Sequence, residues 1–127
     1  MPLTDVAFFL EDNGSVPALD WLRQLYRANR KAFANCAAKI RLLRAFGYEL
    51  RRPHVDYLRD GIYELRAKER TVQYRILFFY HGRNAVILTH PLTKKGSVPD
   101  VDIERAKERK SRFEQSPSRH RASEDVP

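Results

Sequence analysis

Residues 62–92 read IYELRAKERTVQYRILFFYHGRNAVILTHPL, and this stretch decides the fold class. Three runs rich in aromatic and branched residues, Ile62–Arg66, Val72–Tyr80 and Ala85–Leu92, are separated by the turn-like links Lys68-Glu69-Arg70-Thr71 and His81-Gly82-Arg83-Asn84. Runs of that composition between polar links form an antiparallel meander. Side chains alternate faces along a strand, so the turns set which residues share a face. With a four-residue loop at each turn, Ala67 faces Val72 and Tyr80 faces Ala85. Glu64 then lies opposite Arg75, Arg75 opposite His90, and Arg66 opposite Gln73. One face carries Glu64, Arg66, Gln73, Arg75 and His90 at one end, with Leu77, Phe79, Val86 and Leu88 at the other. The opposite face carries Tyr63, Leu65, Val72, Tyr74, Ile76, Phe78 and Ile87, an apolar surface for helices. A one-residue slip in either turn would exchange the faces.

Outward from the meander, Leu3–Leu10 has strand composition suited to a sheet edge, and Asp12-Asn13-Gly14 is a turn signal. Ser15 is an N-cap candidate ahead of Pro17, and Leu19, Leu22, Leu25 and Tyr26 follow at helical spacing. Arg27–Arg30 interrupts that stripe. Phe33, Cys36, Ala37, Ile40 and Leu43 resume it in a second helix, with Gly47 at the place of a left-handed C-terminal cap. Residues 48–60 contain Pro53 and no clean period, which predicts an ordered loop. After Lys94-Lys95-Gly96, the segment Ser97-Val98-Pro99-Asp100 opens a third helix with Ile103, Ala106, Lys110 and Phe113 along one side. The expectation is an α+β domain over residues 1–114, followed by a disordered tail over 115–127 that is poor in apolar residues.

Composition narrows the function. A chain of 127 residues supports one core. No apolar run approaches the roughly 20 residues that span a bilayer, and the N-terminus carries acids where a signal peptide carries bases. The single cysteine, Cys36, forms no internal disulfide, which fits a reducing cytoplasm. With no cysteine cluster and four histidines, neither a metal nor a cofactor is expected. A net charge of +8 and a pI near 9.9 favour a polyanionic partner, of which nucleic acid is the commonest.

The polar end of the first face has the chemistry for such a partner. Arg66, Arg75, His90 and the nearby Lys94 and Lys95 are groups able to hold a phosphate and stabilise charge developing at phosphorus. RNA supplies its own nucleophile, the 2′-hydroxyl, so cleavage needs positioning, charge stabilisation and proton transfer but no metal. Each residue also has a plainer reading. Glu64 and Arg75 form a cross-strand ion pair, His90 is a satisfied sheet histidine, and the two lysines are solvated. Arg75, set within an apolar strand, is hardest to dismiss, because a charge there needs a partner or a ligand. Gln73, Arg51 and Arg52 are candidate RNA contacts, and Phe79 is a candidate base-stacking residue. Cys36 reads as a small core residue.

Taken in order, Arg52-Pro53, Leu58-Arg59-Asp60-Gly61-Ile62-Tyr63-Glu64-Leu65-Arg66, Tyr74-Arg75-Ile76-Leu77-Phe78-Phe79, His90 through Lys94-Lys95, Pro99 and Ile103-Glu104-Arg105-Ala106 resemble the phage-derived HigB-like branch of the RelE toxin superfamily. The resemblance covers roughly residues 3–114. It implies two N-terminal helices packed on a twisted antiparallel sheet, with a C-terminal helix. It also implies a cytoplasmic toxin of a type II toxin–antitoxin pair that cleaves mRNA on the ribosome by metal-independent attack of a 2′-hydroxyl. The implied partners are the ribosome, mRNA and a helix-turn-helix antitoxin, through which alone operator DNA is contacted; no membrane is involved. On this resemblance Arg75 meets the scissile phosphate, Arg66 orients substrate, Lys94 or Lys95 binds phosphate, and His90 transfers a proton. Two departures stand out: His90-Pro91-Leu92 replaces a common His-Gly-Phe, losing an aromatic, and Val98-Pro99 replaces Thr-Pro, leaving Ser97 or Asp100 to cap the last helix. The alternative reading is a RelE-fold protein without catalysis that docks to RNA, the ribosome or an antitoxin.

Overall fold

The computed structural model describes residues 3–93, 96–123 and 126. Strand β1 (Asp5–Phe9) leads into helices α1 (Pro17–Ala28) and α2 (Arg30–Phe46). Four strands follow, β2 (Val55–Arg59), β3 (Ile62–Glu69), β4 (Val72–His81) and β5 (Ala85–Thr93), then α3 (Asp100–Gln115) and the short β6 (Arg121–Ala122). Helix α1 starts one residue later than the Ser15 cap implies. Val16 is the N-cap, Pro17 fills the first position, and Asp20 Oδ2 accepts the Val16 amide at 2.9 Å. The break between α1 and α2 is a single residue, Asn29, whose side chain accepts the Ala32 amide at 3.1 Å. It caps the second helix in the usual Asx manner. Gly47 ends α2 with φ 53° and ψ −124°, a glycine conformation outside the left-handed helical region expected of it. Neither Ser97 nor Asp100 caps α3: Pro99 holds the N-cap position, and Asp100 and Asp102 place negative charge in the first turn.

The sheet order is β2-β3-β4-β5-β1-β6. Strands β2 to β5 are an antiparallel meander, so the stretch predicted as a loop supplies a fourth meander strand, β2, on the outer edge. Strand β1 is not an edge. It runs parallel to β5, pairing Asp5 with Ala85 and Phe8 with Leu88, and β6 lies antiparallel on its other side. Val6, Ala7, Phe8 and Phe9 are all buried, because β1 is covered on both faces. The disordered tail expected from residue 115 does not hold for the described part up to Ala122. His120 stacks on Phe9 at 5.1 Å, its Nδ1 lies 2.9 Å from the Leu10 carbonyl oxygen, and the Leu10 amide donates to the His120 carbonyl. An open strand edge beside a buried aromatic is enough to order this segment despite its polar composition.

Helices α1 and α2 cover one face of the sheet, over Val6, Phe8, Leu65, Tyr74, Ile76, Phe78, Val86 and Leu88. Helix α3 covers the other, where Ile103, Ala106 and Phe113 pack on Ala7, Phe9, Ile62, Leu77, Phe79 and Ile87. The observed register explains this division. The β3–β4 turn has two residues, Arg70 and Thr71, and not four, so Arg66 faces Arg75, Glu64 faces Leu77 and Lys68 faces Gln73. A shift of two preserves the faces of β3 and β4. At the β4–β5 turn His81 faces Ala85, a one-residue slip that moves Val86 and Leu88 to the α1/α2 face and Ile87 to the α3 face, the reverse of expectation. A bulge then opens between Leu77 and Phe78, opposite His90 and Leu88, with Thr89 as the extra residue. It returns His90 to the face of Arg75, opposite Leu77 and not opposite Arg75 as expected. Val72, expected in the core, is 42% exposed at the hairpin end.

Candidate functional site

Arg66 on β3 and Arg75 on β4 are direct cross-strand neighbours on the α3 face. Two guanidiniums side by side repel unless a negative charge lies between them. Glu64 supplies it, with Oε1 3.5 Å from Arg66 Nε and Oε2 3.8 Å from Arg75 Nε. Glu64 and Arg75 are both buried, at 4% and 5% exposure, whereas the Arg66 side chain is partly open. Burial pushes the Glu64 carboxyl above the usual carboxylate range, and Arg75 and then Arg66 pull it back. Gln73 Oε1 accepts from Arg75 Nη2 at 3.3 Å. Among the described residues, Glu64 Oε2 and Arg75 Nε and Nη1 have no hydrogen-bond partner. The two arginines line a pair of adjacent clefts. One, of about 260 Å³, is bounded by Asp56, Leu58, Glu64, Ser97 and Val98; the other, of about 280 Å³, by Lys39, Pro53, Lys68, Gln73 and Tyr74. A buried guanidinium with donors left over, next to a second arginine on a cleft, can accept an anion and neutralise charge developing on it.

His90 belongs to the same face but not to these clefts. Its Nδ1 is 2.9 Å from Thr89 Oγ1, and its Nε2 points at Asp102 Oδ1 of α3, 3.4 Å away without hydrogen-bond geometry. Burial first, then the positive charge of Arg109, lowers its pKa to about 4 against the opposing pull of Asp102, so the ring is neutral at pH 7. Arg109 is itself fixed by Glu11, which also accepts from Arg112, so one carboxylate at the end of β1 ties down α3. Phe79, expected as a stacking residue, is fully buried under α3, 5.6 Å from the Phe113 ring, and is core. Lys94 and Lys95 lie outside the described residues. Arg52 forms a bidentate pair with Asp56 at 3.0 and 3.1 Å, and Arg51 stands exposed beside it. Cys36 is buried in the core, its thiol pushed up to about 12.

Sequence reasoning missed Thr89, Asp102 and Arg109 around His90, since only the packing of α3 brings them there. It also missed a cavity of about 530 Å³ on the other side of the sheet, lined by Tyr48, Tyr57, Tyr63 and Tyr80 with Arg51 and Arg52. The available signal was the interleaving of aromatics with Arg51-Arg52 in a stretch without a period. Among the described residues no group of three or more His, Cys, Asp or Glu is placed to hold a metal ion, and no helix is long and apolar enough to cross a membrane.

No curated protein gives a significant match. A family model, that of the phage-derived protein Gp49-like family (DUF891), matches residues 20–111. The matched segment runs from within α1 to within α3 and contains Glu64, Arg66, Arg75 and His90. Three helices around a six-stranded mixed sheet, two before the meander and one after it, form a RelE-like α+β fold. Matched over more than half its length, the chain belongs to the phage-derived Gp49-like family, within the RelE/HigB-related group of toxin-like proteins.

Proposed function

We propose that the protein is the toxin of a type II toxin–antitoxin pair, a metal-independent endoribonuclease that cuts mRNA on the ribosome. The observation that carries this reading is Arg75: a buried guanidinium whose Nε and Nη1 lack hydrogen-bond partners among the described residues, next to Arg66 on a cleft. Glu64 balances part of that charge at 3.8 Å without hydrogen-bonding it, and a phosphate in the cleft would give the guanidinium a second negative partner. In the proposed reaction the 2′-hydroxyl oxygen attacks the adjacent phosphorus and the P–O5′ bond breaks. The products are a 2′,3′-cyclic phosphate and a 5′-hydroxyl, with one proton taken from the 2′-oxygen and one delivered to O5′. Arg75 holds the scissile phosphate, Arg66 orients the strand, and Gln73 contacts RNA from the second cleft. Glu64 keeps the two guanidiniums side by side. Lys94 and Lys95 are assigned phosphate binding on the family resemblance. His90, neutral at pH 7, is the candidate for proton transfer, and it reaches RNA only when the first turn of α3 lifts from the sheet.

Toxin-like families of this kind have an antitoxin partner in general. We propose that here it is a helix-turn-helix protein, through which the toxin is carried to operator DNA, and that the toxin acts in the cytoplasm. One observation favours a second reading, docking to RNA without cleavage: His90 is closed off by α3. Induced expression of wild type, Arg75→Ala and Arg66→Ala, with mapping of new mRNA 5′ ends, separates the two. Growth arrest with ends inside translated frames, absent for folded Arg75→Ala and weakened for Arg66→Ala, is the expected result. Soluble wild type that neither arrests growth nor creates ends would leave only the docking reading.

A further inference from the structure

A cavity of about 530 Å³ lies apart from the clefts that hold Arg75. It lies at the other face of the sheet, past the end of α2, and four of the six tyrosines in the chain line it. Tyr48 stacks on Tyr80 at 3.8 Å, Tyr57 leans on Tyr63 at 4.9 Å, and Tyr63 meets Tyr80 edge-on at 5.0 Å. Tyr48 and Tyr57 are nonetheless 51% and 53% exposed, so each ring is braced on one side and bare on the other. Their hydroxyls are occupied: Tyr48 donates to the Gly82 carbonyl and Tyr57 accepts the Gly61 amide. The bare surface is therefore ring face, held rigid. On the rim, the Asp56 carboxylate is neutralised by Arg52, while the Arg51 guanidinium is exposed and makes no ion pair among the described residues. The rim is net positive in a chain of charge +8.

Rigid aromatic faces beside an exposed arginine are the elements of a single-strand nucleic-acid platform, in which bases stack and the backbone meets the cation. We infer that this cavity binds a base of single-stranded RNA, stacked between Tyr48 and Tyr57, with its flanking phosphate on Arg51. Asp56 on edge strand β2 lines both this cavity and the cleft of Glu64, Arg66 and Arg75. One strand crossing β2 reaches both sites, so the tyrosine cavity holds a nucleotide a few positions from the one at Arg75. The inference shares with the proposed function the premise that RNA is the ligand, but not the premise that RNA is cut.

The test uses the full chain and a short 2′-O-methyl RNA carrying 2-aminopurine, which cannot be cleaved through its 2′-oxygen. Anisotropy reports binding, and quenching of 2-aminopurine reports stacking. Wild type binds and quenches. Tyr57→Ala and Tyr48→Ala, both at exposed positions, each weaken binding about tenfold and remove the quench. Arg51→Ala weakens binding and lowers the salt slope by about one. Arg66→Ala lowers affinity but keeps the quench. Absence of RNA binding by wild type, as a cavity built for a protein partner would give, overturns the inference. So does binding whose quench survives both tyrosine substitutions. A protein that binds and quenches but never arrests growth would sink the nuclease reading alone.

Discussion

Replacing Arg75 by methionine removes a charge while keeping most of the side chain's length, and its cost follows from Glu64. The two carboxylate and guanidinium atoms are 3.8 Å apart, which at an effective dielectric near 20 is an attraction of about 4 kcal/mol before desolvation is counted. Without Arg75, Glu64 stays buried with Arg66, 3.5 Å from its other oxygen, as its nearest balancing charge among the described residues and Arg52 as a weaker one. Breaking a buried pair from one side costs about 3–5 kcal/mol, and the remaining arginine puts this case near 3. For a chain of 127 residues that is a fall in Tm of about 12 °C. The pH dependence has a defined sign. Burial holds the folded carboxyl above its ordinary value, so the folded state binds that proton more tightly and loses stability as pH rises through that range. Loss of Arg75, the strongest of the downward influences, enlarges the effect. The gap in Tm between wild type and Arg75→Met is therefore smaller at pH 5.5 than at pH 7.5. His90 titrates in both proteins and cancels from the comparison. Thermal unfolding followed by circular dichroism at the two pH values, with Glu64→Gln/Arg75→Met as the third protein, checks the account. The double variant should recover more than half of the lost Tm, because the stranded charge is gone. A gap that is the same at both pH values, with no recovery in the double variant, would refute the electrostatic argument and make Arg75 a packing residue.

Three further outcomes follow from the same structure. His90 should remain neutral down to about pH 4 in an NMR titration of its ring nitrogens, and a midpoint near 6.5 would show the ring to be solvated. Because its folded pKa is depressed, it supports stability fully above the unfolded value of about 6.5, and that support is lost as pH falls toward 4; His90→Gln should flatten this limb of the stability curve. Phe113→Ala should cost about 3–5 kcal/mol in urea unfolding, since the ring is fully buried between Phe79 and His81. Native-state hydrogen exchange should then show α3 opening before the meander, and uniform loss of protection would contradict separate packing of that layer. Gly47→Ala should lower stability by about 2 kcal/mol, because φ is +53° there and a new Cβ would overlap Thr4 Oγ1. An unchanged Tm would mean that Thr4 gives way freely and that the positive φ carries no strain there.

How much of this was legible beforehand depended on whether a feature was local. Helical spacing exposed α1, α2 and α3, and the composition of residues 62–92 exposed the three inner meander strands, because periodicity and turn chemistry are properties of neighbouring residues. The grouping of Glu64, Arg66 and Arg75 on one face was also readable, since strand alternation survives a register error of two. The fine pairing was not. A two-residue turn at Arg70-Thr71, a one-residue slip at Gly82 and a bulge at Thr89 have no unambiguous sequence signature, yet they exchange Val86 and Leu88 with Ile87 and separate His90 from Arg75. Edge strand β2 escaped notice because one exposed side and a bulge leave it without alternation. Contacts across long separations were decided by the tertiary structure alone: β1 entering parallel to β5, the polar tail closing on Phe9, and α3 covering Phe79 and His90. The sequence by itself determined which elements form and which charges share a sheet face, because those follow from local stereochemistry. Which of those charges are buried, paired or left open for an anion depended on how the layers close over them, and that is a sum of contacts between segments far apart in the chain.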